Sequence, residues 1–181
     1  MLRITFGLAL DQSYYPQNNN SELFHYYLGP SGLLNTLENL LGQSGHRNDK
    51  EYLRIEQYRQ IIVHILSEQT DFFFFEAFQA DQFACAKDLL DRRDELLMAG
   101  FHFEASAAMP HRLQQFCLLE EIIKGQHPLN LVAGVADRWE ALLEIIPERE
   151  LNISNFYILE PIPLLPPIYQ RLIACFESVG K

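Results

Sequence analysis

The sequence predicts a helix-rich α/β fold, with a small parallel sheet of about three or four strands, a degenerate P-loop-like turn and a mostly helical middle insertion. Three observations carry this. Apolar residues alternate near both ends of the chain, a Gly-rich turn leads from an early strand into a helix, and helical periodicity fills the stretch between.

Leu2, Ile4, Phe6, Leu8 and Leu10 alternate with Arg3, Thr5, Gly7 and Ala9, the period of a strand. Residues 11–21, with Pro16 and three consecutive Asn, form a loop. Leu23 to Leu28 is a second, aromatic-rich strand. Gly29-Pro30-Ser31-Gly32 must then turn. Ser31 is the expected N-cap of a helix carrying Leu33, Leu34, Leu37, Leu40 and Leu41 on one face, with Gly42 closing it.

After a polar stretch, Asn48 and Glu51 resemble a capping box for a helix reaching Glu68. Tyr58, Ile61, Ile62, Ile65 and Leu66 are its apolar face. Phe72 to Phe78 is strongly aromatic. Successive residues of a helix point about 100° apart, so four consecutive Phe imply burial on several sides or contact with another domain. Asp81 caps a helix to Ala99 whose buried side holds Leu89, Leu90, Arg93, Leu96 and Leu97. Gly100 closes it. Pro110 starts the next helix, which ends at Lys124-Gly125, and another holds Trp139, Leu142, Leu143 and Ile146. Asn155 to Leu159 returns to strand character. Pro166 or Pro167 opens a last helix with Leu172, Ile173, Phe176 and Val179. Residues 1–181 are thus expected as a single domain, a piece of a longer protein, with 43–150 as the helical insertion.

Composition excludes several classes. The 181 residues are 48% hydrophobic and 21% charged, so the chain folds rather than staying disordered. Its net charge is −10, and no basic cluster is longer than a pair such as Arg92–Arg93. Tight nucleic-acid binding by this chain alone is not expected. Cys85, Cys117 and Cys175 are odd in number and far apart, which argues against a disulfide framework or paired zinc ligands and fits a reducing cytoplasm. The N-terminus reads as a strand, not a signal peptide, and no run approaches the ~20 apolar residues of a membrane span.

The turn at Gly29, Ser31 and Gly32 is the one candidate anion-binding site. A helix N-terminus after a Gly-rich turn offers unpaired N–H groups and a positive dipole end. A working P-loop needs a Lys and a hydroxyl after its second Gly to hold phosphates and magnesium. Here Leu33-Leu34-Asn35-Thr36 follows, and no Lys occurs before Lys50. Tight packing of helix on strand is therefore the leading reading, with anion binding the alternative.

The six histidines show no HExxH and no ligand spacing with cysteine, so no metal, cofactor or catalytic residue is assigned. Asp91, Asp94 and Glu95 gather on one helix face among Arg92 and Arg93, a pattern of ion pairing. Arg93, lying between apolar positions, is expected to be a buried or interface arginine paired with Asp94, Glu95 or another segment.

Three segments, Leu28-Gly-Pro-Ser-Gly-Leu-Leu-Asn-Thr-Leu-Glu38, Phe83-Ala-Cys-Ala-Lys-Asp-Leu-Leu-Asp-Arg-Arg-Asp-Glu-Leu-Leu-Met-Ala-Gly-Phe101 and Leu165-Pro-Pro-Ile-Tyr-Gln-Arg-Leu-Ile-Ala-Cys-Phe-Glu-Ser-Val-Gly180, stand in this order along the chain. Together they resemble the N-terminal region of large bacterial proteins of the PD-(D/E)XK exonuclease superfamily, related to the AddB and RecB subunits of helicase–nucleases. The resemblance implies a degenerate helicase-like lobe supporting DNA-end processing in repair, the nuclease domain lying elsewhere in the longer protein. Its partners would be other domains of that protein. The departure from an active helicase is the missing P-loop lysine, and no PD…(D/E)xK set is present. Two alternatives stand beside it. One is a stand-alone interaction module, able to form a weak dimer through its aromatic surface. The other is a small phosphate- or nucleotide-binding protein using the Gly29–Gly32 turn.

Overall fold

A computed structural model describes residues 1–12, 23–43, 51–126 and 131–178. The chain divides into two compact units, Met1–His46 with Arg138–Lys181, and Arg47–Asp137. The sequence reading had placed one domain with an insertion over 43–150.

The first unit holds the sheet. Strands β1 (Leu2–Phe6), β2 (His25–Leu28) and β3 (Ile153–Ile158) run parallel in the order β2-β1-β3. The helix-rich α/β architecture with a small parallel sheet is therefore the one the alternation predicts. β1 is the central strand, so Ile4, Thr5 and Phe6 are all buried. Its alternation continues in sequence to Leu10, yet the strand stops at Phe6. There the pairing with β2 runs out, and the Leu10 amide turns back onto the Gly7 carbonyl to start a short 3-10 turn over Leu10–Gln12.

Helix α1 (Pro30–Leu41) follows β2 directly. Gly29, not Ser31, is its N-cap residue, because Pro30 already takes the first helical position, where its missing N–H costs nothing. Gly42 closes the helix in the left-handed region at φ 69°, as expected. Leu33, Leu34 and Leu37 are buried, whereas Leu40 is exposed and Glu38 takes a place on the inner face. Glu38 is buried because Arg138 meets it with two bonds, Nε to Oε1 at 2.7 Å and Nη2 to Oε2 at 2.6 Å. Asn35 accepts a third from Nη2.

α6 (Val135–Ile145) and α7 (Pro167–Ser178) supply the rest of this core. Tyr169 lies tilted on Phe6 and edge-on to Trp139. Phe156 packs between Phe6 and Phe176. Val179 and Gly180 lie outside the described residues.

The second unit is helical among its described residues: α2 (Glu51–Glu68), α3 (Phe75–Ala80), α4 (Gln82–Met98) and α5 (His111–Gln126). The expected cap at Asn48 lies outside the described residues. Tyr58, Ile61, Ile62 and Ile65 of α2 pack on Leu89 and Leu90 of α4 and on Phe116 and Leu119 of α5. Asp81 caps α4, its carboxylate accepting from the Ala84 amide, and Gly100 turns the chain at φ 79°.

The Phe run is not one helix. Phe72 and Phe74 point inward from a turn before α3, and Phe78 points inward from within it. Phe73 stays outside with the Arg112 guanidinium 5.6 Å from its ring centre. The turn lets Phe72 and Phe74 share one direction, which a helix would forbid. Most of the run is thus core of its own unit.

Candidate functional site

The sequence-predicted site residues all sit at the C-terminal edge of the sheet, where open α/β sheets bind ligands. β2 ends at Leu28, the chain turns at Gly29, and α1 points its N-terminus out of this edge. The geometry is that of an anion loop, and the anion is part of the protein. The Ser31 amide donates to Asp11 Oδ2 at 2.6 Å, and the Gly32 amide donates to Asp11 Oδ1 at 3.2 Å. Asp11 reaches this place from the 3-10 turn after β1. The carboxylate also lies at the positive end of the α1 dipole, an arrangement typically worth about 0.3–1 kcal/mol at a surface.

Gly29 is required by the close approach of this loop. A Cβ there would fall 2.3 Å from the Asp11 backbone nitrogen and 2.4 Å from its carboxylate. The glycine that reads in sequence as part of a phosphate loop thus admits Asp11. Ser31 contributes its backbone N–H, and Thr36 further along α1 bonds its hydroxyl to the Gly32 carbonyl.

A second carboxylate lies at the same edge. Glu160 follows β3, and its Oε1 accepts from the Leu8 amide at 2.8 Å, just past the end of β1. Oε2 is buried with no hydrogen-bond partner among the described residues. Gly7 is close by, where a Cβ would meet the Leu159 side chain at 2.8 Å. Tyr169 at the start of α7 is pushed up to about 12 by burial first and by the Asp11 charge second. The edge therefore presents carboxylates where a nucleotide would need cations and free amides. A hollow of this unit, about 480 Å³, is lined by Met1, Leu2, Phe24, Tyr26, Leu40 and Asn152, near the start of β1 rather than beside the turn.

Among the described residues one side of the sheet stays partly exposed. Thr5, Tyr27 and Tyr157 stand in register and so share a face. Thr5 Oγ1 is 2.8 Å from His25 Nε2, and the His25 ring stacks on Tyr27. Tyr27 and Tyr157 remain 41% and 48% exposed among the described residues, whereas parallel sheets are usually covered on both faces.

The second unit holds a separate polar cluster. Arg54 of α2 donates through both terminal nitrogens to Asp94 of α4, at 2.7 and 2.8 Å, and to Asp137 at 2.9 Å. Its Nε reaches the Val132 carbonyl. Arg93 meets Glu120 of α5 through Nε at 2.8 Å, and Asp94 and Asp137 through Nη1. Burial alone would weaken the hold of both arginines on their protons. Asp94 and Asp137 reverse that for Arg54, and Glu120 and Asp137 do so for Arg93, so both are raised. Asp137 is lowered, since Arg93, the Gly134 amide and Arg54 together outweigh its burial. Gly134 leaves room for the Arg54 guanidinium, 2.3 Å from where its Cβ would be.

Arg93 is mostly covered, its side chain 11% exposed, and paired, with Asp94 as one of its expected partners. Glu95 instead pairs with Arg92 at the surface. Arg54 and Asp137 were not singled out in the sequence, and Glu120 only as one of the adjacent carboxylates Glu120-Glu121. Among the described residues no group of three His, Cys, Asp or Glu is placed to hold a metal ion, and no helix is long and apolar enough to cross a membrane. His46 and His127 lie outside the described residues. No family model, no curated protein and no solved structure matches the chain.

Proposed function

We propose that this chain is a non-catalytic, helicase-like lobe of a DNA-repair exonuclease, serving through contacts with other domains of a longer protein. The observation that carries the non-catalytic part is Asp11 on the Ser31 and Gly32 amides. A nucleotide phosphate would have to displace a tethered carboxylate and then sit within a Debye length, about 8 Å, of its charge. No lysine directly follows Gly32, as it would in a P-loop, to offset that repulsion. The assignment to an exonuclease rests on the three-segment resemblance. The exposed Tyr27–Tyr157 face supports the contact role, as a parallel sheet in a larger protein has both faces covered.

The test is direct. The purified chain is titrated with ATP and magnesium by calorimetry, then incubated with ATP and with linear duplex DNA. The expected result is no binding heat up to about millimolar nucleotide, no phosphate release and no DNA loss. Binding or turnover of ATP would favour the phosphate-binding reading of the same turn, and DNA degradation would overturn the non-catalytic one.

A further inference from the structure

Apart from the exposed Lys124, which also reaches Glu120, the cluster in the second unit does not balance. Arg54 and Arg93 bring two positive charges, and Asp94, Asp137 and Glu120 bring three negative ones when all are ionised. The two aspartates each face both guanidiniums. Glu120 meets Arg93 at a single nitrogen, and its side chain is 2% exposed. An uncompensated charge at such depth is strongly unfavourable, and a group in that position takes up a proton instead.

We infer that the folded second unit stores one buried proton on Glu120, and that losing this proton loosens the contact between α4 and α5. The groups around Glu120 agree. From α4 come Arg93 and Asp94, from α2 Arg54 and Tyr58, and from α6 Asp137. On α5 itself lie Cys117 and the exposed Lys124. Burial is the strongest influence on Glu120 and raises it. Arg93 and Lys124 pull the other way without prevailing, and Asp137 adds to the rise. The Tyr58 hydroxyl is fully buried and has no hydrogen-bond partner among the described residues, Glu120 included, so it does not donate to an ionised Glu120.

Glu120 is held above its unfolded value of 4.5. Its contribution to stability is therefore complete below that pH and declines as pH rises through the folded value. The experiment compares the wild-type chain with Glu120→Gln, which has the shape and neutrality of the protonated acid and can still accept from Arg93. Melting temperatures are taken between about pH 5 and about pH 8. The wild type is expected to lose melting temperature across that range and E120Q to lose less, so that the variant is the more stable at the alkaline end. An E120Q that melts below the wild type by the same margin at every pH would overturn the inference. Should E120Q fail to fold, carbon-13 carboxyl NMR of the wild type decides. Glu120 titrating well above ordinary glutamates supports the buried proton, and titration alongside them refutes it.

Discussion

Replacing Asp11 by Ala removes the acceptor of two α1 amides at once. Both N–H groups point out of the helix end, so water can replace the carboxylate, and the loss is that of a helix cap rather than of a buried bond. Losing a cap to Ala typically costs about 0.5–2 kcal/mol, and the dipole interaction about 0.3–1 kcal/mol more, so a total near 1.5–2 kcal/mol is expected. At this chain length each kcal/mol moves the melting temperature by roughly 2–4 °C, giving a drop of about 3–8 °C. Urea unfolding followed by circular dichroism, with the slope compared between variants, checks it. Asp11→Asn separates charge from shape, since it keeps one acceptor oxygen but loses the charge, and should fall between wild type and D11A. If D11A unfolds within about 0.3 kcal/mol of the wild type, the carboxylate is not capping the helix and the self-filled turn is wrong.

Further outcomes are expected. Gly29→Ala drives a methyl group into Asp11 and should lower stability by about 1–3 kcal/mol; in D11A the same change should be milder, which a double-mutant cycle measures. Arg138→Met leaves Glu38 buried without its partner and should cost about 3–5 kcal/mol by denaturation, whereas R138M combined with Glu38→Leu should recover most of that. Phe74→Ala should cost about 3–5 kcal/mol and Phe73→Ala clearly less, because Phe73 is 38% exposed and Phe74 only 3%. The Tyr169 phenol should ionise near pH 12 in an ultraviolet absorbance titration. Because it is raised above its unfolded value of 10.0, its share of stability is present below about pH 10 and is lost toward pH 12. D11A should bring this titration partway back toward the ordinary tyrosine range.

Much of the fold was legible in local pattern. The alternation at Leu2–Phe6, the closing glycines Gly42 and Gly100 and the cap at Asp81 each act within a few residues, so spacing reveals them. What was hidden depends on distance along the chain. Ser31 looked like a cap because it stands before an apolar face, yet the acceptor comes from Asp11, across a turn and a strand. Arg93 was readable as buried because apolar positions flank it on its helix. Arg54 was not, since its partners Asp94 and Asp137 lie 40 and 83 residues away. The Phe run was misleading in another way. Composition shows four rings in a row but not the turn that sorts Phe72 and Phe74 from Phe73.

The sheet joins the two ends of the chain, and this bears on how the protein is made. β1 is synthesised well before one of its neighbours, β3, which follows about 150 residues later. The Arg47–Asp137 unit is continuous and can fold while β3 is still unmade. Throughout that interval the edge of β1 that β3 will take is open, the feature that invites pairing with other chains. Closing so long a loop is only modestly dearer in entropy than closing a short one, growing as the logarithm of its length. The vulnerable quantity is waiting time, so slowing synthesis between residues 137 and 153 should raise aggregation more than an equal loss of final stability would.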